Sequence, residues 1–212
     1  VSHYDDEQQA EAVKKWFLEN WLALVAGLAI GLGAIFGWQG WQSMKQEKSA
    51  EASRMYEEAR QALDSGDIEE ASALAAKLSD DYSGTPYDDQ VALLLARYHV
   101  DQGELPAAAE QLRSVVDGNA DEPLKQVARL RLARVLWAQD QTEEALAELD
   151  AGGSGEFVSL FEELRGDIML TQGDRAAARQ AYQKAIEAGN EAAANRELLQ
   201  QKLDDLADVV NS

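Results

Sequence analysis

Cysteine is absent from this chain, histidine occurs twice and proline three times, and only one stretch is both long and apolar. Each shortage removes a class of function. Without cysteine there is no disulfide, no thiolate nucleophile and no zinc-finger ligand set. The two histidines, His3 in a polar tail and His99 in a helical pattern, do not form a His-Glu-x-x-His metal motif. A P-loop and a dinucleotide fingerprint are missing, and Gly153-Ser154-Gly155 has no strand before it, so it reads as a flexible loop and not as a nucleophile turn. Basic charge is also short, with 19 Lys and Arg against 39 Asp and Glu, a formal net charge of −20. A surface this acidic repels phosphate, so neither nucleic acid nor anionic lipid headgroups are expected partners. The expectation is a non-enzyme with no catalytic residue, no cofactor and no metal.

The apolar stretch is WLALVAGLAIGLGAIFGWQGW, twenty-one residues from Trp21 to Trp41, inside a charge-free run bounded by Glu19 and Lys45. A helix of that length reaches about 32 Å, the thickness of a hydrocarbon core. Leu22, Leu24, Val25, Leu28, Ile30, Leu32, Ile35 and Phe36 each favour insertion by roughly 0.3–0.6 kcal/mol, and Gln39 is the one notable polar cost. Trp16, Trp21, Trp38 and Trp41 mark the ends, where amphipathic rings prefer the interface. A signal peptide is shorter and carries a small-x-small cleavage site, so an uncleaved single span is expected, with the lipid bilayer as its surroundings. Gly27 with Gly31, and Gly33 with Gly37, have the spacing that lets membrane helices approach closely. They are candidate contacts to a second copy, giving a homo-oligomer, or to another protein. Lys14 and Lys15 on one flank against Lys45, Lys48 and Arg54 on the other leave orientation undecided.

After the span the chain predicts helix upon helix, an all-α solenoid. Ser65-Gly66-Asp67, Gln102-Gly103-Glu104, Gln139-Asp140-Gln141 and Gln172-Gly173-Asp174 punctuate it at spacings of 37, 37 and 33 residues. That is the period of a helix–turn–helix repeat, and these units resemble the tetratricopeptide repeat (TPR). Glycine at the turn supplies the left-handed backbone that closes a first helix, and Asp67 or Thr142 can cap the second. Small residues recur where the two helices of a unit meet: Ala59 and Ala71, Ala96 and Ala108, Ala133 and Ala145, Gly166 and Ala178, with Tyr182 expected to fill the space towards the next unit. The expected organisation is a tail over 1–20, a transmembrane helix over 21–41, a stalk over 42–63 entering the first repeat helix, four repeats over 49–190, and a capping helix over 191–212. In that last helix Leu199, Leu203, Leu206 and Val210 share a face.

Aligning the units on their turns places Arg60, Arg97 and Arg134 at equivalent positions, with Asp167 in the fourth. One turn on, Leu63, Val100, Trp137 and Leu170 coincide. If the first helices line a concave face, arginines beside apolar side chains form a protein-binding groove for an extended or helical segment. The alternative is that each arginine pairs with an acid of a neighbouring unit and only stiffens the stack.

The order of parts adds a further resemblance. Val13-Lys-Lys-Trp-Phe-x-Glu-Asn precedes the span, Gly37-Trp38-Gln39-Gly40-Trp41 closes it, and Leu130-Arg131-Leu132-Ala133-Arg134-Val135 and Leu164-Arg165-Gly166-Asp167 follow in the repeats. Over essentially its whole length the chain is similar to the YfgM family of bacterial inner-membrane proteins, ancillary subunits of the SecYEG translocon. The resemblance implies a cytoplasmic N-terminus, a periplasmic repeat domain, and no catalytic motif. Its implied partners are the translocon, a membrane-anchored periplasmic chaperone of the peptidyl-prolyl isomerase type, and translocating polypeptides. It also implies a scaffold that helps pass newly translocated chains to periplasmic chaperones. The competing expectation is a membrane-tethered adaptor that sequesters a signalling or stress-response protein.

Overall fold

The computed structural model describes residues 2–189 and 196–208, with side chains from Lys14 onward apart from Leu24, Ala207 and Asp208. Among the described residues the helices are α1 (Ser2–Ser65), α2 (Ile68–Tyr82), α3 (Pro86–Asp101), α4 (Leu105–Asp117), α5 (Glu122–Ala138), α6 (Thr142–Ala151), α7 (Val158–Thr171), α8 (Arg175–Ala188) and α9 (Arg196–Asp208). A short 3-10 turn, Gly155–Phe157, precedes α7. The chain divides into two compact units, residues 1–50 and 51–212.

In the first unit the backbone stays helical through the apolar stretch, and Leu22, Val25, Leu28, Ile30, Leu32, Ile35 and Phe36 are all exposed. A soluble helix hides one apolar stripe; this one presents apolar side chains in every direction. Within the span expected over 21–41 the helix bends, by 46° between Lys14–Ala23 and Val25–Ser65. Among the described residues no single helix is long and apolar enough to cross a membrane, whereas the bent pair together meets that test by length and composition. Glycines 27, 31, 33, 37 and 40 dilute the apolar character of the stretch, because each contributes backbone and no side chain.

The second unit is a stack of helix pairs. The end of α1 supplies Ala52, Met55, Ala59 and Ala62 to cores shared with Leu78 and Tyr82 of α2 and Val91 and Leu95 of α3, so the segment expected as a stalk over 42–63 straddles the boundary at 50. The largest core runs through α3 to α7 and contains Leu112, Leu132, Leu136, Leu149, Phe161 and Ile168. Fully burying a leucine contributes about 1.5–3 kcal/mol, and repetition of that burial at every interface holds a solenoid together. All eight small residues expected between paired helices are buried.

The four turns are built alike. Gly66, Gly103, Asp140 and Gly173 have φ of 82°, 76°, 61° and 83°. In each turn the next residue's N–H reaches back five positions: Asp67 to Ala62, Glu104 to His99, Gln141 to Leu136 and Asp174 to Met169, at 2.8–3.0 Å. This is the glycine-type helix stop, and Asp140 is the only non-glycine at positive φ among the described residues. Asp67 and Asp174 then cap α2 and α8, their Oδ1 atoms accepting from the Glu70 and Ala177 N–H groups. Thr142 does not cap α6. The helix begins one residue after the linking Gln141, which places Thr142 inside the first turn.

Two inter-unit features differ from the sequence reading. The loop with Gly152 and Gly153 is not slack: a Cβ at Gly152 would lie 2.4 Å from Phe161 Cε1, and the Gly153 N–H donates to Oε1 of buried Gln126 at 2.8 Å. Tyr182 faces its own unit as well as the next. Its ring lies on Gly166, where a Cβ would come within 2.4 Å, while Leu199 and Leu206 of α9 join it in one core. The terminal helix covers the stack with Leu199, Leu203 and Leu206; Val210 and residues 191–195 and 209–212 of the expected capping segment lie outside the described residues.

Candidate protein-binding cleft

The expected row of arginines separates into three situations. Arg60 is exposed and bonds to Glu57 of its own helix. Arg97 lies 3.8 Å from Asp101, also on its own helix, and both side chains are largely exposed. Arg134 is exposed and has no ion pair or hydrogen bond among the described residues. None of the three reaches an acid of a neighbouring unit. That role falls to others, in Arg113–Glu144 at 3.3 Å and Arg165–Asp150 at 2.8 Å, while Arg129 reaches Glu148 on the other helix of its own unit at 3.5 Å.

Arg97 and Arg134 come together in a cleft of about 390 Å³ between α3, α4 and α5. Leu93, Ala96, Val100, Leu112 and Val135 form its apolar lining, and Arg131 is its third cation. Val100 is 42% exposed. Arg131 is not among the groove residues expected from the sequence, although it lies three positions before Arg134 and so on the same helix face. Of the other expected residues, Trp137 is half-buried against the main core and Leu63 is half-buried against Ala62, Ala71 and Leu95. Leu170 is 37% exposed. Arg60, Leu63, Trp137 and Leu170 lie outside this cleft, which therefore belongs to the second and third units alone.

The fourth unit closes the equivalent position. Asp167 accepts from the Tyr182 hydroxyl at 2.7 Å and from Lys202 Nζ at 2.7 and 3.0 Å, and Lys202 also reaches Glu163 at 3.1 Å. Burial and then the bond to Asp167 push the Tyr182 hydroxyl well above its ordinary value. Burial pulls Lys202 down, but its bonds to Asp167 and Glu163 outweigh that and hold it above the ordinary lysine value.

Elsewhere, Gly27, Gly31, Gly33 and Gly37 have open space where a Cβ would stand. A second cavity, of about 530 Å³, is lined by Asp88, Asp89, Asp121, Leu124 and Phe157 among others. Burial raises the Asp88 carboxyl, and burial with the charges of Asp88 and Asp121 raises that of Asp89. His99 Nδ1 lies 2.7 Å from Glu104 Oε2, a contact that spans the turn closing α3. Among the described residues no group of three His, Asp or Glu side chains is placed to hold a metal ion.

A family model described as a tetratricopeptide repeat-like domain matches residues 14–208. A curated protein of Escherichia coli (strain K12), named ancillary SecYEG translocon subunit, is 35% identical over 205 residues, 96% of this chain and 98% of its own length. The chain belongs to the family of ancillary SecYEG translocon subunits. Family members of the same name from Aggregatibacter actinomycetemcomitans and Haemophilus influenzae are 30% and 27% identical, over 95% and 88% of this chain and 98% and 91% of their own. Ancillary translocon subunits are thus matched from the tail before the apolar stretch to the closing helix, and the TPR-like character read from the turn spacing is that of the family.

Proposed function

We propose that this chain is a non-catalytic, membrane-anchored scaffold of the Sec translocon, whose TPR-like domain passes newly translocated polypeptides to periplasmic chaperones through protein–protein contacts. The observation that carries the reading is similarity along nearly the whole chain to proteins named ancillary SecYEG translocon subunits. The exposed apolar side chains from Leu22 to Trp41 support the anchor, since only a non-aqueous neighbour removes them from water. In this reading the anchor crosses the inner membrane once, the N-terminal tail is cytoplasmic and the repeats are periplasmic. The glycine face from Gly27 to Gly37 meets a membrane helix, of the translocon or of a second copy. The partner on the far side is a membrane-anchored chaperone of the peptidyl-prolyl isomerase type. The cleft at Arg97, Arg134 and Val100 is the protein-binding surface of the repeats.

Detergent co-purification with cross-linkers placed between Gly27 and Gly37 tests the reading. The expected outcome is recovery of translocon components and of an isomerase-type chaperone. Recovery of neither sinks it, as would a reporter fused after Ser212 that is active only in the cytoplasm.

A further inference from the structure

We infer that the cleft between α3, α4 and α5 recognises an acidic, amphipathic polypeptide segment, its carboxylates meeting Arg131 and Arg134 and its apolar side chains lying on Leu93 and Val100. This rests on the reading of the chain as a protein-binding scaffold and names the chemistry of what the scaffold binds.

Charge is the first observation. On a chain of net charge −20, arginines have acids in abundance, and those at helix interfaces use them: Arg113, Arg129 and Arg165 all bridge to an acid on another helix. Arg175 and Arg196 donate instead to the backbone carbonyls of Asp205, Leu206 and Ile186. Arg131 and Arg134 have neither kind of partner among the described residues. They lie three positions apart on one helix face, where two like charges repel. Arg97 brings a third cation to the same rim, and its loose exposed contact with Asp101 holds it only weakly. Three cations converge at one rim, an arrangement complementary to an anion from outside.

The apolar floor is the second observation. Ala96, Leu112 and Val135 belong to the buried core, and Val100 stands above them 42% exposed. A phosphate or lipid headgroup would use the guanidinium groups and leave this floor wet. An amphipathic acidic segment uses both, with carboxylates in bidentate contact with arginine and apolar side chains covering Val100 and Leu93. A second copy of this chain fits less well, because two bodies of net charge −20 repel as they approach.

The test uses the full chain in lipid nanodiscs, titrated with a fluorescein-labelled peptide of repeated Glu-Ala-Leu-Asp and followed by anisotropy. The expected result is saturable binding that weakens with added salt. It should weaken at least tenfold, about 1.4 kcal/mol, when Arg131→Glu and Arg134→Glu are combined. Substituting Gln and Asn for the peptide's acids should weaken it similarly, and Arg60→Glu, outside the cleft, should leave it unchanged. Arg131 and Arg134 are both exposed, so the double variant should melt with the parent chain. Arg131→Gln with Arg134→Gln, which adds no negative charge, should still lose most of the binding. Equal binding of the amide peptide, or unchanged binding by both double variants, overturns the inference. Displacement of the peptide by unlabelled chain, with a dimer that the same variants dissolve, overturns it in favour of a second copy. Translocon recovery by the parent chain is scored separately: its loss with peptide binding intact removes the scaffold reading and leaves the cleft standing.

Discussion

The third and fourth repeats are built on one plan and put equivalent positions to opposite uses. In the third unit, Ala133 and Leu149 are buried in the main core, Arg134 lines an open cleft, and the turn is made by Asp140. In the fourth, Gly166 packs under Tyr182, Asp167 is enclosed by Tyr182 and Lys202, and the turn is made by Gly173. The repeat scaffold sets where a side chain stands; its neighbours decide whether it is available. Arg134 lies in a cleft with α3 and α4 and pairs with no acid among the described residues, whereas Asp167 has a lysine delivered by α9. A position can therefore stay open at the surface in one unit and be a structural fastener in the next.

The largest way to break the comparison is to empty the fourth unit. Tyr182 is fully buried between Gly166 and α9, and Tyr182→Ala is expected to cost about 3–5 kcal/mol, read as a lower denaturation midpoint. Gly166→Ala brings a methyl against the Tyr182 ring and should cost about 1–3 kcal/mol despite alanine's better helix propensity. Adding Tyr182→Leu to that variant recreates the Ala–Leu pairing of the second and third units, so most of the loss should return. A double-mutant cycle with no coupling would show that the two positions are independent.

Asp167→Asn should cost about 1 kcal/mol, because it leaves Lys202 half-matched in a partly buried place. It should also alter the alkaline limb of stability. Lys202 is held above its ordinary value of 10.5, so its contribution is complete below that value and is lost as pH rises through the folded one. Tyr182 is held above its ordinary value of 10.0, so ionising it likewise opposes folding as pH climbs past that point. The docking of α9 should therefore weaken from about pH 10 upward in the parent chain and less steeply in Asp167→Asn, measured by hydrogen exchange of α9 amides or by melting across that range. The smallest effect lies at the turn. Asp140→Gly removes a side chain held at positive φ and should stabilise the chain by about 0.5–1 kcal/mol, seen as a modest rise in Tm.

The turns were legible because a left-handed stop needs a particular residue, and three of the four carry glycine at a regular interval. Asp140 was recognisable by its place in that interval, and the structure gives it the glycine conformation. The small residues between paired helices were legible for a similar reason, since close approach admits few side chains. The arginine row was only half legible. Periodicity aligned Arg60, Arg97 and Arg134, but which of them share a cleft depends on how successive units face each other, and that selected Arg131 over Arg60. The ring of Tyr182 on Gly166 was missed because a glycine in a helix gives no sign of which partner occupies the space it leaves. The apolar stretch announced a helix, and its composition gave no indication of the bend near Leu24.

Helix α9 has a consequence of a different kind. A solenoid is an open-ended pattern: each unit exposes an apolar face that the next is shaped to cover, so an unsealed end invites another molecule to continue the series. By laying Leu199, Leu203 and Leu206 over the fourth unit, and fastening them with Lys202 from one side and Arg175 from the other, α9 brings the pattern to a stop. The apolar face of the fourth unit is thereby covered and no longer available to extend the stack.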